Sequence, residues 1–376
     1  MSIKDKYCIV GAATTKFGRL PGMTALNLTA QAAKMAIEDA GLKKNEVDAV
    51  FCKYQTSGFR HQWAHKVAES LGIQPKMAAT VDQAGATNVG LVQYAVASIE
   101  AGLIDTAVCC YGDNPLTGSP ATYAGFRGSD AAFGYFGAAP GYAMIAQRHM
   151  IEFGTTSRQL GAVAAATRTW ASMNPDAQKR DLITIDDHQR SRYITWPLRL
   201  LDCCLVSDGA AAVVITSAER SGRLHKKPVY IMGMGQHHIA WEEYYRSNLT
   251  TSGAKISGDI AFKMAGITPQ DVDVCQLYDC FTIVPIITLE DYGFCTKGEG
   301  GPFVEDGKTG PGGSLPMNTS GGLHSAGGTE GMLHIVEAVR QLRNECGERQ
   351  VKDAEIALVS GQGGVMHAHG TLVLRR

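Results

Sequence analysis

One stretch of this chain is written twice. Ala36-Ile37-Glu38-Asp39-Ala40-Gly41-Leu42, followed by Glu46-Val47-Asp48, returns as Ala261-Phe262-Lys263-Met264-Ala265-Gly266-Ile267, followed by Asp271-Val272-Asp273. Each copy reads as a helix closed by Ala-Gly, a polar turn and a Val-Asp start to a strand. The copies run on in parallel, into Ala49-Val50-Phe51-Cys52-Lys53-Tyr54 and Val274-Cys275-Gln276-Leu277-Tyr278-Asp279. A second pair lies further along. The apolar helix after Gly85 is matched by Gly331 to Arg340, and each leads to a strand, Ala107-Val108-Cys109-Cys110 and Ile356-Ala357-Leu358-Val359. Two copies of one βα unit imply two equivalent halves about a pseudo-twofold axis, in a layered α/β fold.

Within the first half, helix and strand patterns alternate. Helices are expected at 24–40, 65–71 and 88–101, and strands at 7–11, 47–52, 78–81 and 106–111. The stretch 114–200 interrupts the repeat and reads as an inserted cap, helical at 142–153 and 159–172. The first half then closes with Leu205-Val206-Ser207-Asp208-Gly209 and an apolar strand to Ile215, where Asp208 is expected to cap backbone N–H groups. The division is therefore 1–220 for the first half, with its insertion, and 221–376 for the second.

Composition excludes several functions. Lys plus Arg is 35 against 36 for Asp plus Glu, so charge favours neither nucleic acid nor an anionic membrane. No apolar run reaches membrane-spanning length, and Met1-Ser2-Ile3-Lys4-Asp5-Lys6 lacks the apolar core of a signal peptide. The ten cysteines have no regular spacing, and many lie in strand-like apolar runs. They read as buried free thiols of a reducing cytoplasm, and the pairs Cys109-Cys110 and Cys203-Cys204 lack metal-ligand spacing. His61 and His65 stand four apart as on a helix, but two ligands make no zinc site. No metal is expected. His367 and His369 alternate on the last strand, where they either face the cleft or are structural.

Five stretches, taken in order, resemble the thiolase superfamily, and above all its sterol-carrier and lipid-transfer branch. They are Val81-Asp82-Gln83-Ala84-Gly85-Ala86-Thr87-Asn88-Val89-Gly90, Ser207-Asp208-Gly209-Ala210-Ala211, Leu277-Tyr278-Asp279-Cys280-Phe281, Asn318-Thr319-Ser320-Gly321-Gly322 through Gly328, and Ser360-Gly361-Gln362-Gly363-Gly364. The resemblance implies a five-layer αβαβα fold with two pseudo-symmetric halves and an inserted cap. It also exposes deletions. Gly85 stands where the family's acyl-accepting cysteine sits, Tyr278 replaces the histidine of a His-Asp pair, and Gly328 falls near the Gly-His-Pro histidine. The second family cysteine, near Val359 or Ser360, has no counterpart. Claisen chemistry needs a thiolate to hold the acyl intermediate, and glycine supplies none.

Backbone donors survive these deletions. The Gly85 N–H at a helix N-terminus and an N–H of Gly363 or Gly364 would form an oxyanion hole for a thioester enolate, with Asn318 binding substrate nearby. Retro-aldol cleavage of a 3-hydroxyacyl-CoA needs that hole and a proton carrier. Tyr278 has that role in the branch this chain resembles, the aldolases of sterol side-chain breakdown. Their second tyrosine, around Gly328, is absent here, which leaves His324 as the alternative proton carrier. A packed core aromatic at Tyr278 and a hydrogen-bonded loop histidine at His324 are the structural readings of the same residues. The leading expectation is an acyl-CoA carbon–carbon lyase for a bulky steroid or aromatic side chain, with coenzyme A only as part of the substrate. The alternatives are an acyltransferase with a non-standard nucleophile and a non-catalytic subunit. By resemblance, a homodimer and a small zinc-ribbon/OB-fold acyl-CoA-binding partner are implied.

Overall fold

A computed structural model describes residues 3–58, 61–118, 128–222, 224, 226–240 and 243–376. Met1 and Ser2 of the sequence reading, and 119–127 of the expected cap, lie outside the described residues. The first half runs β1 (Tyr7–Thr14), α1 (Ala25–Asp39), β2 (Ala49–Lys53), α2 (Trp63–Leu71), β3 (Met77–Val81), α3 (Thr87–Glu100) and β4 (Thr106–Asp113). The insertion carries α4 (Ala139–Phe153), α5 (Ser157–Ser172), α6 (Ile185–Arg190) and a hairpin of β5 (Tyr193–Thr195) and β6 (Leu198–Arg199). Strand β7 (Gly209–Ser217) then closes the first half, and the short α7 (Ala218–Ser221) leads out of it. The second half holds β8 (Val229–His238), α8 (Ala254–Ala265), β9 (Val274–Gln276), α9 (Ile283–Tyr292), α10 (Gly300–Glu305), α11 (Met332–Arg343), β10 (Ile356–Gly363) and β11 (Ala368–Arg375).

The strand order is β3-β2-β4-β7-β1-β8-β11-β10-β9. It is palindromic about the β1–β8 seam, where Cys8 faces Tyr230 and Ile9 faces Val229. Outward from the seam, each half has two antiparallel pairings and then a parallel one. The first half ends on the parallel partner β3. The second half keeps only a trace of that strand, a parallel bridge between Cys275 and Met317. The sequence repeat is thus a structural repeat.

The repeated Ala-Gly helices owe their place to a close approach. A Cβ on Gly11 of β1 would overlap the Ala36 carbonyl of α1, and a Cβ on Gly233 of β8 would overlap the Ala261 carbonyl of α8. Ala36 and Ala261 begin the two sequence copies, so each helix lies on its strand at the same point. Thr24 starts α1 by accepting the Asn27 N–H, and Leu28, Ala32, Ala33, Ala36 and Ile37 form its buried face.

Helices α3 and α11 touch each other and strands of both halves, so they form the central layer. Val89, Leu91, Val92, Ala95 and Val96 of α3 pack there with Ile335, Val336 and Val339 of α11. A fully buried Val or Leu side chain contributes about 1.5–3 kcal/mol, which makes this layer a principal source of stability. α1 and α2 cover the outer face of the first half, and α8 and α9 that of the second. These are the five layers. The insertion packs on the second half: Tyr142, Ile145, Leu160 and Val163 share a core with Ile283, Val284 and Ile287.

Asp208 caps more widely than a local turn. Its buried carboxylate accepts the Leu20, Leu116 and Thr117 amides, at 3.0, 2.8 and 3.3 Å, tying two distant loops to the start of β7. His61 lies outside α2, which begins at Trp63, so the spacing to His65 does not put both on one helical face. No helix among the described residues is long and apolar enough to cross a membrane.

Candidate active site

The site is built where three loops meet at the C-terminal ends of parallel strands. The first is the turn from β3 into α3. Its amides are drawn inward: Gln83 N–H donates to Thr87 Oγ1 at 2.7 Å, Ala84 N–H to Asp82 Oδ1 at 2.9 Å, and Ala86 N–H to the Gln83 carbonyl at 3.1 Å. Ala84 is forced to a φ of 49°, a left-handed conformation that costs an L-residue on the order of 1–2 kcal/mol. This tight turn presses Gly85 against the end of β10. A Cβ on Gly85 would overlap both the Gln362 carbonyl and the Tyr278 hydroxyl, and a Cβ on Gly363 would overlap the Gln83 carbonyl. The two backbones can cross only because both positions are glycine.

The second loop follows β9 and delivers Tyr278. Asn318 extends the strand artificially: its Oδ1 accepts the Leu277 N–H at 2.7 Å and its Nδ2 donates to the Leu277 carbonyl at 2.8 Å. Both polar ends of Asn318 are therefore committed to backbone. The expected substrate-binding role gives way to a positioning one, because Leu277 and hence Tyr278 are fixed by it. Tyr278 N–H then donates to Ser360 Oγ at 2.9 Å. The Tyr278 ring is 6% exposed and stacks on His334 of α11, with centroids 6.4 Å apart and planes at 23°. Burial, reinforced by the Glu330 carboxylate and by Cys280, Tyr142 and Cys204, pushes its phenol well above the ordinary value.

Asp279 holds the stack from below. Its Oδ1 accepts the Leu323 N–H and pairs with His334 Nε2, both at 3.0 Å. Burial would raise this carboxyl, but the His334 hydrogen bond, with the His334 and His324 imidazoles beside it, outweighs that and holds it below the usual range. His324 itself sits among Asp279, Asp202 and Arg168, and burial drives its imidazole towards the neutral form. The groups around Tyr278 include His334, Glu330, Cys280, Tyr142 and Cys204. The structure thus brings Gly85, Tyr278, Gly363 and Gly364 together and sets His324 beside Asp279.

The third loop follows β10. Gln362 donates to the Gly363 and Gly364 carbonyls at 2.9 and 3.1 Å, and Tyr142 of the insertion donates to Gln362 Oε1 at 2.7 Å and reaches the Gly364 carbonyl at 2.5 Å. Tyr142 stacks on Phe281 at 4.5 Å. The insertion therefore fixes the glycine turn from above. A cavity of about 420 Å³ opens beside it, lined in part by Asp82, Gln83, His238, Gly363, Gly364 and His367. His369, by contrast, is buried against the Tyr292 hydroxyl at 2.9 Å and has a structural place.

Sequence reasoning missed two side chains here. His334 lies in the first turn of α11, and its contacts cross from α11 to the loop after β9, which no local pattern displays. Glu330 carried a signal: it is the single Asp, Glu, Lys or Arg between Thr309 and Val336. It adopts a left-handed φ of 48° just before α11, with its carbonyl held by Asn88 Nδ2 at 2.6 Å. Its partly exposed carboxylate faces the buried Lys53, the last residue of β2, at 3.7 Å.

Chemically, the site offers backbone amides at a helix N-terminus, a buried phenol and a carboxylate, but no thiolate. Burial pushes the thiols of Cys204 and Cys280 far up, so neither is an ionised nucleophile near neutral pH. A twofold-repeated α/β fold with this centre is that of a thioester-handling protein stripped of its nucleophile. The chain belongs to the thiolase superfamily, in its lipid-transfer-type branch: residues 7–134 match the thiolase N-terminal domain, and 235–376 the thiolase C-terminal domain-like family. It is 36% identical to the 17-hydroxy-3-oxo-4-pregnene-20-carboxyl-CoA lyase of Mycobacterium tuberculosis, over 96% of this chain and 98% of that one. It is 34% identical to an acetyl-CoA acetyltransferase of Methanothermobacter thermautotrophicus, over 96% and 98%. A solved Ltp2-ChsH2(DUF35) aldolase superposes with a TM-score of 0.90 at 34% identity, covering 99% of this chain and 98% of that one.

Proposed function

We propose that this protein is an acyl-CoA carbon–carbon lyase, which cleaves a bulky 3-hydroxyacyl-CoA by a retro-aldol route. Overall identity does not decide between its lyase and acetyltransferase relatives, since 36% and 34% are equivalent. One observation supports the lyase: the Tyr278 hydroxyl stands in the volume a side chain on residue 85 would need. A proton carrier has replaced an acyl carrier. The reading of an acyltransferase with another nucleophile is disfavoured by the raised thiols of Cys204 and Cys280.

In the proposed reaction the thioester oxygen lies against the amides of Gly85 and of Gly363 or Gly364. The N-terminus of α3 stands behind them and stabilises the enolate. The substrate's β-hydroxyl meets Tyr278. As its oxygen loses a proton, the Cα–Cβ bond breaks, leaving a ketone or aldehyde and a shortened acyl-CoA. No covalent intermediate and no cofactor besides the substrate's coenzyme A is required.

The relatives' names supply a probe. Incubating the purified protein with 17-hydroxy-3-oxo-4-pregnene-20-carboxyl-CoA should release a 17-ketosteroid and propionyl-CoA, followed by mass spectrometry. Thiolysis of acetoacetyl-CoA with no cleavage of hydroxyacyl-CoA would favour the acyltransferase. Inertness towards both, alone and with a partner, would favour a non-catalytic subunit. We further propose a homodimer through the edge strand β3, and a small zinc-ribbon/OB-fold partner that holds the acyl-CoA. The DUF35 component named in the similar aldolase supports the latter. The ten free cysteines support a reducing, cytoplasmic setting.

A further inference from the structure

Two glycine amides are candidates for the second donor of the oxyanion hole, and the path of β10 selects one. Successive carbonyls along a strand point to opposite sides. The Gln362 carbonyl points at Gly85, where a Cβ would overlap it. The Gly363 carbonyl points the other way and accepts the His367 N–H at 2.9 Å, across the turn into β11. In a planar trans peptide the next N–H lies opposite its carbonyl. The Gly363 N–H is thus turned towards β11. The Gly364 N–H is turned back to the side of Gly85, where Gln83, Ala84 and Gly364 line one cavity. It has no acceptor among the described residues.

We infer that Arg246 and His367 are the positioning residues of this donor: they grip Val365, the next residue, by its carbonyl and its N–H, and so hold the Gly364 N–H against the thioester oxygen. The inference rests on the lyase reading and deepens its oxyanion hole.

His367 takes the N–H. Its Nδ1 accepts it at 3.3 Å, and its ring lies against Gly364, where a Cβ would stand 2.7 Å from Nδ1. Gly364 has a φ of 62°, so glycine is needed there for conformation as well as for space. Arg246, from the loop between β8 and α8, takes the carbonyl. Its Nη1 donates to the Val365 carbonyl at 2.8 Å, and its Nη2 to the Thr251 carbonyl just before α8. The Val365 side chain is fully buried under α4, since a Cβ on Gly141 would lie 2.8 Å from both of its Cγ atoms. With Tyr142 and Gln362 on the Gly364 carbonyl, every carbonyl from Gly363 to Val365 has a protein partner.

The chemistry of Arg246 marks this grip as more than packing. Arg246 is 7% exposed, yet its guanidinium donates to two backbone carbonyls. Among the described residues no carboxylate forms an ion pair with it, and its Nε has no partner. A buried cation without a counter-ion does not serve stability, because an apolar side chain of similar volume packs there at less cost. Behind an oxyanion hole, the same charge adds to the field that stabilises an enolate.

The test measures steady-state cleavage of 17-hydroxy-3-oxo-4-pregnene-20-carboxyl-CoA by the full chain and its variants, with any partner the native chain requires. Arg246→Met should lower kcat by on the order of 10²-fold, with KM within about twofold. Arg246→Lys keeps the charge and one donor, and should recover about tenfold of that loss. His367→Leu should fall as far as Arg246→Met, and His367→Asn, which keeps an acceptor near the Nδ1 position, should recover part of the rate. The double variant Arg246→Met with His367→Leu should lie no more than about threefold below either single one, because both act on one amide. Thermal midpoints measured alongside separate positioning from packing. An Arg246→Met chain that melts earlier but keeps its kcat per folded molecule makes Arg246 structural, which overturns the inference and leaves the lyase reading intact. Should Arg246→Met fail to fold, native kcat in both Arg246→Lys and His367→Leu overturns it equally. Absence of cleavage by the native chain, alone and with a partner, overturns the lyase reading and this inference with it.

Discussion

The hydroxyl of Tyr278 fills the space in which a side chain on residue 85 would lie. Residues from two halves of the repeat, almost two hundred positions apart, have exchanged one functional group for another at a single point. Reinstalling a side chain therefore does not reverse the change. Gly85→Ala places a methyl group into the Gln362 carbonyl, which is backbone and cannot swing aside. Overpacking of this kind costs about 1–3 kcal/mol. We expect a lowered thermal midpoint and loss of hydroxyacyl-CoA cleavage. Gly85→Cys should behave the same way and gain no thiolase activity. Acetoacetyl-CoA thiolysis by Gly85→Cys would show that Tyr278 can vacate the site, contrary to the packing described.

Tyr278→Phe isolates the hydroxyl. The ring keeps its stack on His334 and the backbone keeps its bond to Ser360, so stability should change little. Cleavage should fall by on the order of 10²–10⁴-fold, while the affinity for a substrate analogue holds. An unchanged kcat would turn attention to His324.

The layered fold was legible because it was written twice: Ala36 and Ala261 open equal helices over Gly11 and Gly233 at equal strand positions. The missing thiol was equally plain, since Gly85 stands in a stretch with a recognisable order. What fills the vacated space was not legible. Nothing near Tyr278 in sequence states that its ring reaches Gly85, and that apposition depends on Asn318 holding Leu277 and Ser360 holding Tyr278. The family's Asn-x-x-Gly-Gly run implies a substrate-binding role for Asn318, and no local pattern shows that its Oδ1 and Nδ2 both go to the Leu277 backbone. His334 was passed over as one residue of an apolar helix, although its ring spans from Tyr278 to Asp279.

Asp279 supplies a third expectation. Its carboxyl is held below the ordinary value of 3.8 in the folded chain, so its contribution is fully present above that value. It is lost only as pH falls through the lower, folded value. Asp279→Asn removes the buried charge that faces His334 and His324, and should destabilise the fold by about 3 kcal/mol at pH 7. The His334 ring beneath Tyr278 then loses its anchor, so cleavage should fall as well. The gap between Asp279→Asn and the native chain should narrow below pH 3.8, where the unfolded chain takes up a proton at this carboxyl that the folded chain does not. Denaturant midpoints at pH 7 and pH 3.5 measure this, and an equal gap at both would refute the assignment.

The acid limb of stability has a second source, in the opposite kind of group. His369 is 1% exposed, its Nε2 lies 2.9 Å from the Tyr292 hydroxyl, and its imidazole is pushed down from 6.5 to about 3 by burial, assisted by the nearby charge of His237. Between pH 6.5 and about 3 the unfolded chain therefore holds a proton here that the folded chain does not. Stability must fall as pH falls across that window, by about 1.4 kcal/mol per pH unit for this one group, and the loss must stop once both states are protonated. His369→Gln keeps an acceptor for the Tyr292 hydroxyl but cannot be protonated. It should be somewhat less stable than the native chain at pH 7 and have a pH slope shallower by one proton, so that the two curves converge as the solution is acidified. Urea unfolding at pH 7, 6, 5 and 4 gives both slopes directly. Parallel curves would mean that His369 is protonated equally in the folded and unfolded chains, and the acid limb would then have to come from other groups.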